Sequence, residues 1–237
     1  MSGFSVPALL QHLREAPSSL GATDTLVLPL PQVASAWLYV AWGLVLAWGL
    51  GALVQSFAAR VGLHAHGLLA RRVAAVLAFG WAWVPGPWGP VHWLGLAFLA
   101  PSVGTALLSA ACVWGCARPL SVARRGLWFL PVCGVLLGWV LLLDTFALLP
   151  GEWYAFGFSA AAVWVVAAVA CVPWLFWGTA QTRWIWALLP IVVLVFVALR
   201  LPTGNVWDAV LDPWLWLVLQ GMLVRKVLAL RRSRKRL

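Results

Sequence analysis

The chain has 237 residues, of which 64% are hydrophobic and 9% are charged, with a net charge of +10 and a mean hydropathy of +0.95. A soluble domain is about half apolar and about a quarter charged, so this chain has too few polar side chains to cover a water-exposed surface. The composition therefore excludes an ordinary soluble protein and predicts that lipid solvates most of the chain.

Residues 1–32 predict an extracytoplasmic segment rather than a secretory signal peptide. The segment lacks a basic start, and four prolines interrupt its apolar patches. Within it, the stretch PALLQHLREA places its leucines on one side of a helix. This pattern predicts a short amphipathic helix that lies on the membrane surface or covers the bundle. The alternative is a partly ordered terminal tail.

Seven apolar segments follow, and each predicts a transmembrane helix, because a lone segment in lipid satisfies its own backbone groups only as a helix. The predicted spans are Val33–Phe57, Leu68–Val84, Val91–Gly115, Leu127–Leu149, Ala155–Gly178, Trp184–Leu199 and Ala209–Leu230. The sequence therefore predicts an all-α fold, a polytopic transmembrane helical bundle over residues 33–230. A basic tail over residues 231–237 follows the bundle.

The positions of the basic residues predict the direction in which each span crosses the membrane. If the N-terminus is outside, 14 of the 16 Lys and Arg residues fall in cytoplasmic loops or the tail, and only Arg14 and Arg200 fall outside. Short cytoplasmic loops of membrane proteins carry such an excess of positive charge. All six acidic residues lie in or near the outer half. The sequence thus predicts a multi-pass protein of the cell inner membrane, with the N-terminus out and the C-terminus in.

The outer acidic residues form the first candidate site. Asp144 lies five residues inside the end of the fourth span, about 7 Å deep at about 1.5 Å per residue. A carboxylate there costs up to about 3 kcal/mol, so we expect it to face a polar partner. Arg200 is the preferred partner. Asp144, Arg200, Asp208 and Asp212, with His92, would line an outward-facing site for a cationic or sugar-like ligand or a proton relay.

The same stretch has a structural interpretation. Asp212 precedes Pro213, and Asp at an N-cap followed by Pro at the first helical position starts a helix well. Asn205 would cap a preceding short helix whose third residue is Asp208, where a negative charge suits the helix dipole. In this interpretation the aspartates stabilise helix ends, and the sequence leaves both interpretations open.

Two further groups lie at the predicted cytoplasmic face. His64 and His66, with Cys112 and Cys116, share one membrane level and are suitable ligands for zinc or copper. The alternative is an accidental HxH and cysteines that pack in apolar helices. The basic residues of the C-terminal region predict contact with anionic lipid headgroups rather than nucleic acid. They are Arg225, Lys226, Arg231, Arg232, Arg234, Lys235 and Arg236.

The remaining motifs do not indicate a catalysed reaction. Gly134 and Gly138 form a GxxxG that permits close helix contact. The chain holds no GxSxG, HExxH, CxxC or phosphate-binding glycine loop, and nothing in it indicates a cofactor. The first hypothesis is therefore a non-catalytic, membrane-embedded subunit or scaffold whose tryptophan-lined helices dock a membrane protein partner or a second copy. The alternative is a small transporter or permease that uses the outer acids, and the third is an enzyme acting on a lipid-linked substrate.

Overall fold

The computed structural model of the protein describes residues 6–15, 28–62, 67–114, 129–176 and 183–234. Within these ranges the regular elements are helical, which confirms the predicted all-α class. The helices are α1 Val6–Glu15, α2 Pro31–Arg60, α3 Gly67–Ala82, α4 Pro90–Phe98, α5 Val103–Val113, α6 Phe129–Thr145, α7 Trp153–Phe156, α8 Ala160–Phe176, α9 Arg183–Leu199, α10 Val206–Val210 and α11 Pro213–Arg234.

Six of the seven predicted spans correspond to one long helix each, namely α2, α3, α6, α8, α9 and α11, with ends that differ by a few residues. Two helical stretches, Pro31–Arg60 and Pro213–Arg232, are long and apolar enough to cross a bilayer. Four further apolar helices of the described ranges are 10 to 17 residues long. The number of spans therefore stays a prediction.

Residues Val6–Glu15, in the stretch for which a short amphipathic helix was predicted, form α1. It contacts α9, and its Leu10 and Leu13 side chains are exposed. This helix thus lies against the bundle with apolar side chains available to a further apolar environment.

The predicted third span, Val91–Gly115, is wrong as a single helix. It is broken into α4 and α5 at Leu99–Ser102, where Leu99 has a φ of 59°. Pro101 causes the break, because it lacks an N–H and disfavours helical conformation in the residue before it. Ser102 then starts α5, since its Oγ accepts a hydrogen bond from the backbone N–H of Thr105 at 2.9 Å.

The main apolar core lies where α5, α8, α9 and α10 meet. Phe196 of α9 is fully buried there, together with Val103, Ala162, Val206 and Ala209. A second cluster of Trp42, Ala82 and Val91 joins α2, α3 and α4. Helix α5 contacts α2, α9 and α10, so the short helix that follows the break occupies the centre of the structure.

Helices α6 and α11 pack against each other through the predicted GxxxG. A Cβ atom added at Gly138 would lie 2.2 Å from Cδ1 of Trp216, and one added at Gly134 would lie 2.6 Å from a methyl carbon of Leu219. Trp216 also donates its indole N–H to the carbonyl of Val135 at 3.2 Å. The prediction that these glycines permit close helix contact is confirmed, and the partner is α11.

Arg71 joins three helices at the opposite end of α5 from the break. From α3, its guanidinium donates to Oε1 of Gln55 on α2 at 3.2 Å and to the carbonyl of Cys112 in the last turn of α5. A cation at a helix C-terminus stabilises the helix dipole, and hydrogen bonds to charged groups are stronger than neutral ones.

We expect Arg71→Gln to lower the free energy of unfolding by about 2 kcal/mol. The neighbouring Arg72 is exposed, so Arg72→Gln removes the same charge and should change stability by less than about 0.5 kcal/mol. Equilibrium unfolding of the purified protein in mixed micelles measures both values. Equal losses for the two variants would contradict a role for the hydrogen bonds of Arg71.

Candidate functional site

The connection between α9 and α11, residues Arg200–Asp212, is buried although it is mostly irregular. We call it the elbow. Its Leu201 is 1% exposed, and Asn205, Val206 and Ala209 are fully buried. The backbone N–H of Val206 donates to the carbonyl of Gly157 at 3.0 Å, which ties the elbow to the C-terminus of α7. Loops usually run over a protein surface, so a buried one needs partners for all its polar groups.

Arg200 forms the first corner of the elbow. Its φ is 56°, its N–H donates to the carbonyl of Phe196 at 2.7 Å, and its own carbonyl accepts from the N–H of Gly204 at 2.8 Å. The side chain is 4% exposed, and the guanidinium carbon lies 5.3 Å from the ring centroid of Phe196. This distance allows a cation–π interaction with the last turn of α9.

The capping interpretation of Asn205 is confirmed. Its Oδ1 accepts from the backbone N–H of Trp207 at 2.9 Å at the start of α10, and Asp208 lies in the first turn of that helix. The Nδ2 group of Asn205 donates to the carbonyl of Tyr154 at 2.9 Å. Both ends of the buried amide are therefore used, and the amide joins α10 to α7.

Asp208 accepts two hydrogen bonds from hydroxyl groups. The phenol of Tyr154 donates to its Oδ2 at 2.8 Å, and the Thr203 hydroxyl donates to the same oxygen at 2.6 Å. Thr203 belongs to the elbow itself, whereas Tyr154 comes from α7. The carboxylate thus holds its own loop and a neighbouring helix together.

The predicted pair of Asp144 with Arg200 stays a prediction. Oδ2 of Asp144 accepts a hydrogen bond from the backbone N–H of Tyr154 at 2.7 Å. This donor is close along the chain, because Tyr154 follows the turn that ends α6 and is only ten residues away. Arg200 is held against Phe196 on α9. Asp144 therefore satisfies its carboxylate by fixing the connection between α6 and α7.

Asp212 links the N-termini of two helices. Its Oδ1 accepts from the N–H of Leu215 at 2.7 Å, with Pro213 at the first position of α11, so the predicted cap is confirmed. Its Oδ2 accepts from the N–H of Ser102 at 2.8 Å, across the break that precedes α5. One carboxylate at two helix N-termini matches both helix dipoles. We call these contacts, together with those of Asp144, Tyr154 and the elbow, the elbow network.

Sequence reasoning missed Tyr154, Thr203 and Ser102. A signal existed for Ser102, because Pro101–Ser102 is a helix stop followed by a helix start. Tyr154 gives no such signal, since its partner Asp208 is 54 residues away. His92 was predicted to join the acids, but its described ring contact is an edge-on one with Trp93 on α4, with centroids 5.1 Å apart.

The predicted metal ligands lie largely outside the described residues. His64, His66 and Cys116 fall there, whereas Cys112 lies on α5. Within the described ranges, no three His, Cys, Asp or Glu side chains are grouped so that they could hold a metal ion. Five of the predicted lipid contacts, Arg225, Lys226, Arg231, Arg232 and Arg234, lie on α11, and Lys235 and Arg236 are outside the described part.

Burial raises the pKa of Tyr154, and its hydrogen bond to Asp208 and the charge of that carboxylate raise the pKa further. The phenol therefore stays a neutral donor in the folded protein above its ordinary pKa of 10.0. An unfolded chain loses that proton near pH 10 while the folded chain keeps it. The stabilising contribution is thus complete below pH 10 and is lost as the pH rises further.

We expect the free energy of unfolding of the wild type to fall above about pH 10, by up to about 1.4 kcal/mol per pH unit from this group. Tyr154→Phe should remove that part of the slope. Tyr39→Phe changes the only other tyrosine and is the matched control. Unfolding curves between pH 8 and pH 11 measure it, and identical slopes for wild type and Tyr154→Phe would contradict the assignment.

Comparison of the chain with known protein families, with curated protein sequences and with solved structures gives no match.

Proposed function

We propose that the protein is a non-catalytic, seven-span subunit or scaffold of the cell inner membrane, with its N-terminus out and its C-terminus in, that docks another membrane protein. The scaffold assignment rests on a single observation, namely that the carboxylates predicted to lie outside accept hydrogen bonds from this chain. Asp144, Asp208 and Asp212 each accept hydrogen bonds from backbone or hydroxyl donors of this chain. They therefore act as structural partners of helix ends.

The surface of the helices supports the membrane part of the proposal. Each of the six long helices exposes large apolar side chains, namely Leu53 on α2, Val76 on α3, Leu136 on α6, Trp164 on α8, Leu194 on α9 and Leu217 on α11. A soluble protein rarely exposes large contiguous apolar patches, which mark contact with lipid or with a protein. The excess of basic residues in the predicted cytoplasmic loops supports the direction.

The polar groups of the elbow support a static role. A charged or polar group in a membrane protein usually marks a solute pathway when it faces a water-filled cavity. Here Asn205 uses both ends of its amide, and Asp212 uses both oxygens. A transported ligand would have to replace these hydrogen bonds, and each one also holds a helix end in place.

The broken third span favours the alternative of a small permease. Discontinuous transmembrane helices whose ends point at a binding site are common in transporters. The break at Leu99–Ser102 leaves the N-terminus of α5 inside the structure, next to Asp212. In this alternative, the solute would be cationic and would contact Asp144, Asp208 and Asp212.

Reconstitution separates the two functions. The purified full-length protein in liposomes is tested for proton flux and for flux of a small organic cation, beside Asp144→Asn and the matched exposed variant Glu152→Gln. For a scaffold we expect no flux above empty liposomes, and we expect partner recovery in mild detergent to fall only in proportion to the folded fraction of Asp144→Asn. Flux that Asp144→Asn abolishes while it stays folded would contradict the scaffold and establish the permease.

A further inference from the structure

In its first half, helix α11 has one packed side and one open side. Trp216 and Leu219 face α6, where they fill the space left by Gly138 and Gly134. The opposite side carries Val218 and Leu228, each 47% exposed, and Gly221, where a Cβ atom would meet nothing within 4 Å. This open side is apolar and has a notch at Gly221.

Two arginines lie in the same helical register as the open side. Positions 218, 221, 225, 228 and 232 follow one another at three- and four-residue spacing, which places them on one face of a helix. Arg225 and Arg232 occupy this face and are exposed. The face therefore changes from apolar to cationic along its length, and the sequence of α11 holds no acidic residue.

Lys226 belongs to the other side of α11. It lies seven residues after Leu219 and ten after Trp216, in the register that packs on α6, and it is less exposed than Arg225. The predicted lipid contacts Arg225 and Lys226 thus separate into one residue on the open face and one in the helical register of Trp216 and Leu219.

We propose that the open face of α11, formed by Val218, Gly221, Arg225, Leu228 and Arg232, binds an anionic phospholipid of the cytoplasmic leaflet. The occupant follows from charge complementarity: an acyl chain matches the apolar half with its notch, and a negatively charged phosphate headgroup matches the two arginines. Arginine presents several N–H donors in a plane, an arrangement that suits phosphate oxygens. The proposal rests on the proposed membrane topology.

The test is lipid retention by the full-length protein. The protein is reconstituted in nanodiscs of phosphatidylglycerol and phosphatidylcholine in equal amounts and released into detergent, and bound lipids are counted by native mass spectrometry. We expect one phosphatidylglycerol to be retained in preference to phosphatidylcholine. Arg225→Gln combined with Arg232→Gln should lower that retention about tenfold or more. Arg225→Lys combined with Arg232→Lys should lower it less, because the charges remain while the planar donor sets are lost.

The matched control is Arg60→Gln combined with Arg72→Gln. These two exposed arginines lie at the same predicted membrane face, and their replacement removes the same charge. We expect retention within about twofold of the wild type for this control. Equal losses for both pairs, or retention without headgroup preference, would overturn the site on α11.

Failure of the membrane topology is recognised separately. Extraction of native membranes with alkaline carbonate leaves a bilayer-spanning protein in the pellet. A protein that stays in the pellet but shows no preference for phosphatidylglycerol overturns the lipid site alone. A protein that carbonate releases overturns the membrane proposal and the lipid site with it. Thermal melting in detergent verifies that each variant is folded.

Discussion

Replacement of Asp212 by Ala is expected to lower the free energy of unfolding by about 3 kcal/mol. The change removes the N-cap of α11, where Oδ1 accepts from Leu215, and it removes the acceptor of the Ser102 N–H at the start of α5, which bonds to Oδ2. Loss of one cap costs about 0.5–2 kcal/mol, and leaving a buried donor unsatisfied costs about 1–3 kcal/mol. Ser102 is fully buried, so water does not readily replace the lost partner.

Asp212→Asn separates the two bonds. The amide oxygen of Asn can still cap Leu215, since Asn is a good N-cap, but its NH₂ group cannot accept the hydrogen bond from Ser102. We therefore expect about half the loss seen for Ala. Equilibrium unfolding in mixed micelles measures both variants.

Glu152→Ala is the matched control for Asp212→Ala. Glu152 is an exposed acid that precedes α7 without a side-chain cap hydrogen bond, and its loss should change stability by less than about 0.5 kcal/mol. A loss for Asp212→Ala no larger than that of Glu152→Ala would contradict the role of Asp212 at the two helix starts.

Replacement of Gly157 by Ala is the second large effect, with an expected loss of about 3 kcal/mol from overpacking. A Cβ atom at this position would lie 2.0 Å from Oδ1 of Asn205 and 2.3 Å from Cδ1 of Trp207. The backbone of Gly157 is right-handed helical, with a φ of −62° and a ψ of −14°. Alanine adopts that conformation readily, so the loss would come from the collision with the elbow.

Gly80→Ala is the control for this collision. Gly80 lies in α3, and a Cβ atom there would meet nothing within 4 Å. Because Ala has a higher helix propensity than Gly, the control should be neutral or stabilising by up to about 1 kcal/mol. We measure both variants by the same unfolding assay. A neutral Gly157→Ala would show that the elbow does not pack closely on the C-terminus of α7.

The positions of the helices followed from the sequence because they depend on local features. Apolar runs bounded by Pro, Gly and charge located six long helices, and Asp212–Pro213 marked the start of α11. The GxxxG of Gly134 and Gly138 indicated a close contact without naming α11 as the partner. Each of these features depends only on residues within one turn or one helix.

The elbow network could be predicted from the sequence only in part, because its contacts join residues that are far apart in the chain. The cap at Asn205 is local and was predicted, whereas the hydrogen bond from Ser102 to Asp212 spans 110 residues. Asp144 was assigned to Arg200 because the charges are opposite. Charge alone cannot reveal that this carboxylate accepts a hydrogen bond from a backbone N–H ten residues along the chain, at Tyr154. Likewise, hydrophobicity alone predicted the third span as a single helix, although Pro101 divides that segment into α4 and α5.

Hydrogen exchange measured by mass spectrometry tests most directly whether Asp212 joins α5 to α11. The informative peptides contain Ser102 and Leu215, whose amide N–H groups both donate to this carboxylate. Compared with the wild type, Asp212→Ala is predicted to exchange faster in both peptides, while a peptide from α3 stays unchanged. Faster exchange confined to the peptide with Leu215 would show that Asp212 caps α11 alone, and it would contradict the elbow network as a link between helices.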